Sequence, residues 1–130
     1  MLYLDSSALV KLVVPEPESR ALQARLALAD HLISSVVAAI EVPRAVARVA
    51  DRPATSRRVD EVLSAIDLRD LGPEVVSAAR AIPAHIRSLD AIHLGTALAG
   101  DTNCEVFVAY DRRLQHAARE LGLPVLAPGA

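Results

Sequence analysis

Twice in this chain a short apolar run ends at an aspartate and passes straight into a helix-forming stretch, and no other feature narrows its possible folds as much. Leu2 to Leu4 are apolar throughout and too few for a helix, so they read as a short buried strand. Asp5 stops that run, and Ser6 and Ser7 are N-cap candidates for the apolar segment Ala8 to Val14. Near the other end, Val106 to Ala109 form a strand, and Tyr110-Asp111-Arg112 then open a helix that reaches about Leu121. In an open α/β sheet the carboxyl ends of the strands face the ligand crevice, so acids in this position project charge into it. Taken alone, each aspartate is also explained as an ordinary partner of a helix N-terminus.

Between these two units, strand and helix alternate. Pro15 ends the first helix, and Pro17-Glu18-Ser19 opens a second with Leu22, Leu26 and Ala29 on one face. His31 to Ser34 supply a second strand, and Ser35 caps a helix from Val36 to about Ala50, in which Pro43 is expected to kink the helix or interrupt one bond of its ladder. A helix from Thr55 to about Ile66, a strand near Leu68 to Leu71, and a helix from Gly72-Pro73-Glu74 to about Ile82 follow. Next comes a helix from Leu89 to Leu98 with Asp90 in its first turn. Gly122 ends the last helix before a final strand, Pro124 to Leu126. This alternation predicts a parallel sheet with helices on both faces, and 130 residues without a linker predict one domain spanning residues 1–130.

Composition removes several classes of function. Aromatic residues are 2% of the chain, too few for base-stacking recognition surfaces, and a formal net charge of −2 argues against a broadly basic nucleic-acid binder. Nearly all of the positive charge is arginine, since Lys11 is the only lysine. Arg44, Arg48, Arg52, Arg57 and Arg58 follow closely enough to form either a solvated helix face or a rim for phosphates or a partner. Cys104 is the only cysteine, which excludes an intramolecular disulfide. Neither a signal peptide nor a membrane span is evident, so the expected compartment is the cytoplasm. The glycines form no phosphate-cradling loop.

Four acids remain to be explained: Asp5, Glu41, Asp90 and Asp111. Glu41 is the least ordinary, because it interrupts an apolar helix in which Val37, Ile40 and Ala45 are expected to face the core. A buried carboxylate without a partner costs several kcal/mol, and Arg44 is the nearest cation in sequence. If the four acids meet at the carboxyl edge of the sheet, their repulsion calls for cations, and an oxygen-only donor set favours Mg²⁺ or Mn²⁺. The chemistry that uses such a site is metal-assisted phosphodiester hydrolysis. His93, three residues after Asp90, reads as a helix-packing histidine rather than a catalytic one.

Four segments, Leu4-Asp5-Ser6-Ser7-Ala8, Ser34-Ser35-Val36-Val37-Ala38-Ala39-Ile40-Glu41, Leu89-Asp90-Ala91-Ile92-His93 and Phe107-Val108-Ala109-Tyr110-Asp111-Arg112, together resemble the PIN-domain family. The likeness is greatest to its VapC-type toxins, the ribonuclease halves of bacterial type II toxin–antitoxin pairs. It extends over essentially the whole chain and implies a three-layer α/β/α sandwich with a short, mostly parallel sheet. It further implies an endoribonuclease dependent on Mg²⁺ or Mn²⁺, usually a homodimer, silenced by a small VapB-like antitoxin. By the same resemblance, Asp5, Asp90 and Asp111 are metal ligands and Glu41 is the remaining catalytic acid, reaching metal directly or through water. Ser6, Ser7 and Arg112 are the corresponding substrate-binding residues. Ala109 departs from the family pattern, which often places Thr or Ser there. The alternatives are a non-catalytic PIN-like module that binds RNA or a partner, and a nuclease directed at DNA.

Overall fold

The computed structural model describes residues 1–130. Five parallel strands, β1 (Leu2–Leu4), β2 (Leu32–Ser35), β3 (Asp67–Arg69), β4 (Val106–Val108) and β5 (Val125–Leu126), lie in the order β3-β2-β1-β4-β5. Seven helices connect and flank them: α1 (Ser6–Val13), α2 (Ser19–Leu26), α3 (Ala38–Ala47), α4 (Pro53–Ser64), α5 (Pro73–Arg80), α6 (Ser88–Leu98) and α7 (Arg112–Glu120). The sheet is wholly parallel, a step beyond the mostly parallel sheet expected from the sequence.

The strand order fixes where the helices go. From β1 the chain moves outward through β2 to β3, then returns to the other side of β1 for β4 and β5. Crossovers between parallel strands are right-handed, so reversing direction moves the connecting helices to the opposite face. Accordingly α1, α2, α3 and α4 pack on one face around Leu4, Leu9, Leu22, Val42, Val62 and Val108. Leu94 of α6 and Leu114 of α7 cover the other face with Tyr3, Ile33 and Phe107. The alternation Tyr3/Leu4 and Phe107/Val108 across the pleat sends neighbouring residues into different cores. Helix α5 lies on α6, where Gly95 permits backbone contact: a Cβ at Gly95 would stand 2.8 Å from the Ala79 nitrogen.

The reversal also places a switch point between β1 and β4, where open α/β sheets bind ligands. The chain leaves β1 at Asp5, whose N–H donates to the Val108 carbonyl (3.1 Å), and leaves β4 at Ala109 to reach Asp111. The two strand–acid–helix units recognised in the sequence are thus adjacent in space.

Several local expectations are revised. Asp5, rather than Ser6 or Ser7, caps α1, and both serines lie within its first turn. Helix α4 starts at Pro53 rather than Thr55, and at the first helical position the missing N–H of proline costs nothing. Helix α3 continues through Pro43, whose missing N–H leaves one bond of the ladder unmade. It starts at Ala38 rather than Val36, and Ala38, Val42 and Val46 form its buried stripe. That phase turns Ile40 outward, 65% exposed, contrary to the core position expected for it. No helix is long and apolar enough to cross a membrane.

Candidate active site

Each of the four acids is presented by a different element. Asp5 leaves β1 and is almost fully buried, at 4% exposure. Its Oδ1 accepts from the Ala8 N–H (3.0 Å), closing the α1 cap, and from the Ser7 hydroxyl (2.6 Å). Ser7 Oγ in turn accepts the Tyr110 N–H (3.1 Å), tying the end of β4 to the end of β1. Asp111 caps α7 by accepting the Leu114 N–H at Oδ1 (2.9 Å). Asp90, in the first turn of α6, is held at Oδ2 by Arg87 (3.3 Å). Glu41, in the first turn of α3, accepts the Ser6 hydroxyl at Oε1 (2.7 Å).

The partner of Glu41 is not Arg44, which is exposed; it is His93. His93 Nε2 lies 2.7 Å from Glu41 Oε1 and 3.2 Å from Ser6 Oγ, while Nδ1 lies 2.7 Å from the Tyr3 hydroxyl. The imidazole is 1% exposed, and Tyr3, itself fully buried, stacks on Phe107. Sequence reading classed His93 as a packing residue, and it is packed, but both ring nitrogens are engaged in a polar chain from Tyr3 to Glu41. The available signal was a pair of needs: an acid without a local partner and a polar ring on an apolar helix.

The electrostatics separate these carboxyls. Desolvation raises the Asp5 carboxyl from 3.8 to about 6; bonds from Ser7 and Ala8 and the nearby His93 oppose the rise, and the charge of Asp90 adds to it. Desolvation also pushes Glu41 upward, but bonds from His93 and Ser6, with the charge of Arg87, hold it below its ordinary value. Burial raises the Tyr3 hydroxyl well above its usual range, so it remains a phenol.

One arrangement recurs at all four positions. Asp5 and Asp111 are bonded only through Oδ1, Asp90 only through Oδ2 and Glu41 only through Oε1, so each carboxyl keeps an oxygen without a protein partner. As placed, no three acidic, histidine or cysteine side chains stand close enough together to enclose an ion. The donor chemistry nevertheless suits a hard divalent cation, because the free atoms are all carboxylate oxygens and Asp5 carries desolvated charge with no basic side chain bonded to it. Asp90 and Asp111 also line a cleft of about 790 Å³ together with Arg87, Arg112 and Arg113. Asp5 and Glu41 do not line it. Ser6 and Ser7, expected at substrate, donate their hydroxyls to Glu41 and Asp5, whereas Arg112 faces the cleft.

The chain and its fold have known counterparts. The chain is 37% identical to ribonuclease VapC47 of Mycobacterium tuberculosis, covering all of this chain and 98% of that protein. It is 40% identical to ribonuclease VapC46 of the same organism, over 98% and 97% of the two chains. The fold matches VapBC2 of Rickettsia felis, solved bound to a DNA fragment from its promoter, with a TM-score of 0.75, 14% identity and 97% and 98% of the chains covered. Residues 2–120, from the first strand to the end of the helix that Asp111 caps, match the PIN domain, and the chain belongs to that family.

Proposed function

We propose that this chain is an endoribonuclease that acts as the toxin of a VapBC-type pair, with residues 1–130 forming one nuclease domain. The observation that carries this reading is that Asp5, Glu41, Asp90 and Asp111 are each anchored through one oxygen and free at the other, with Asp90 and Asp111 lining one cleft. The ribonuclease names of two relatives, each at least 37% identical over nearly the full chain, support the reaction class.

In this reading Asp5, Asp90 and Asp111 would hold Mg²⁺ or Mn²⁺. When bound, such an ion supplies Lewis-acid stabilisation of phosphate charge and activation of the attacking water. The protein's own groups do the rest. Glu41, held ionised by His93 and Ser6, accepts a proton from the attacking water at Oε2. Arg112, at the first position of α7 and lining the cleft, pairs with substrate phosphate. Ser6 and Ser7 serve substrate indirectly, by fixing the carboxyls that address it. The expected partners are a small VapB-like antitoxin and a second copy of the chain, for which exposed Ile40, Val49 and Leu89 offer apolar surface. The expected compartment is the cytoplasm, where substrate RNA and antitoxin meet.

The test is cleavage of RNA by the purified protein freed of any partner. Cleavage should appear with Mg²⁺ or Mn²⁺ and stop with EDTA. Cleavage that persists after chelation refutes metal dependence, and cleavage of single-stranded DNA but not RNA favours a DNA-directed nuclease.

A further inference from the structure

We propose that Tyr3, acting through His93, is the device that presents Glu41 to the reaction: the tyrosine hydroxyl fixes which imidazole nitrogen carries the proton, and that proton holds Glu41. The inference rests on the catalytic role given to Glu41 above. It concerns two residues that touch neither substrate nor any acid other than Glu41, so both are positioning residues.

The argument follows from which groups are able to donate. An ionised Glu41 only accepts, so the 2.7 Å contact from His93 Nε2 to Oε1 requires the proton on Nε2. In a neutral imidazole Nδ1 is then a bare acceptor, and the atom it meets at 2.7 Å is the Tyr3 oxygen, whose O–H donates to it. Packing holds the Tyr3 ring in place. It is fully buried in β1, its ring lies parallel to Phe107 at 5.1 Å, and it meets the imidazole edge-on at 5.8 Å.

The consequence for Glu41 is directional. Its two protein bonds, from His93 and from Ser6, both fall on Oε1. The carboxylate is therefore pinned at one oxygen, and the other has no protein partner. The same logic governs imidazoles in other sites, where a group behind the ring sets its tautomer and the ring addresses the reacting atom. Here the ring addresses a carboxylate. Three elements are joined: Tyr3 from β1, Glu41 from α3 and His93 from α6, on opposite faces of the sheet.

Two measurements test this, and the first needs no activity. The ¹⁵N spectrum of selectively labelled histidine in metal-free protein should show His93 with a protonated Nε2 and a bare Nδ1, assigned by its loss in His93→Gln. A proton on Nδ1, or on both nitrogens, overturns the proposal. The second is kinetic. His93→Leu keeps volume but removes the donor, and should lower kcat by about 100-fold with KM unchanged. His93→Gln, which restores an N–H toward Glu41, should recover to about 10-fold below the parent, and Tyr3→Phe should fall by about 10-fold. Adding Glu41→Gln to His93→Leu should cost nothing beyond Glu41→Gln alone, because His93 acts through that carboxylate. Losses that simply add, or an undiminished His93→Leu beside an inactive Glu41→Gln, overturn this inference alone. Full activity in Glu41→Gln overturns the role assigned to Glu41, and this inference with it.

Discussion

Glu41 Oε1 lies 2.7 Å from His93 Nε2 although 52 positions separate the two residues, one on α3 and the other on α6. The bond satisfies a half-buried carboxylate and a fully buried imidazole at once. It also gives Glu41 a setting distinct from Asp5, whose carboxyl is desolvated without a bonded imidazole. Two acids near one sheet edge are thereby driven in opposite directions, Asp5 upward and Glu41 downward.

Asp5→Asn separates catalysis from fold. The amide oxygen still accepts the Ser7 and Ala8 hydrogens, so the α1 cap survives while one buried charge is lost. Cleavage should fall by orders of magnitude, with a melting temperature in EDTA equal to or above the parent's. Asp90→Asn and Asp111→Asn should behave alike. A variant that melts far lower and keeps its specific activity would make Asp5 a helix cap only.

The pH dependence of that stability follows from the raised Asp5 carboxyl. Between 3.8 and about 6 the unfolded chain has lost the proton that the folded chain retains. Folding therefore binds protons, and this contribution to stability declines as pH rises through that window, then levels off. The full shift corresponds to about 2–3 kcal/mol. Subtracting the metal-free stability of Asp5→Asn from that of the parent at each pH cancels the other titrating groups. The difference should fall across the window, and a flat difference would refute the assignment.

Arg87 would compete with a cation bound at Asp90. Its side chain is 81% exposed, and it reaches Asp90 Oδ2 at 3.3 Å. Arg87→Gln should tighten Mn²⁺ binding by about twofold to fivefold, the range for an exposed ion pair. Calorimetric titration of parent and variant reads this directly, and unchanged affinity means the pair does not restrain Asp90.

Gly95 is required by packing rather than chemistry. A Cβ there would stand 2.8 Å from the Ala79 nitrogen and 3.0 Å from its Cα, backbone atoms that cannot swing aside. Gly95→Ala should force α5 from α6 and destabilise the protein by about 1–3 kcal/mol in denaturant unfolding. Because α6 carries Asp90 and His93, loss of activity should accompany it.

What the sequence determined by itself was whatever is settled within a few residues. The run Leu2 to Leu4 before Asp5, and the run Val106 to Ala109 before Asp111, announce strand, acid and helix start, because burial and helix capping act over one turn. Alternation then implies a parallel sheet with two covered faces. Tertiary structure decided how the acids are partnered and turned. The sequence pointed Glu41 to Arg44, three residues away, but the phase of α3 is set by burial of Ala38, Val42 and Val46, which leaves Arg44 and Ile40 in solvent. Glu41 reaches His93 only because the chain reverses between β3 and β4 and carries α6 to the other face of the sheet. Ser6 and Ser7, neighbours in sequence, serve different carboxyls because successive helical residues diverge by about 100°. Local propensities act along the chain; the partner of a buried charge is chosen across it, by whichever elements the strand order brings together.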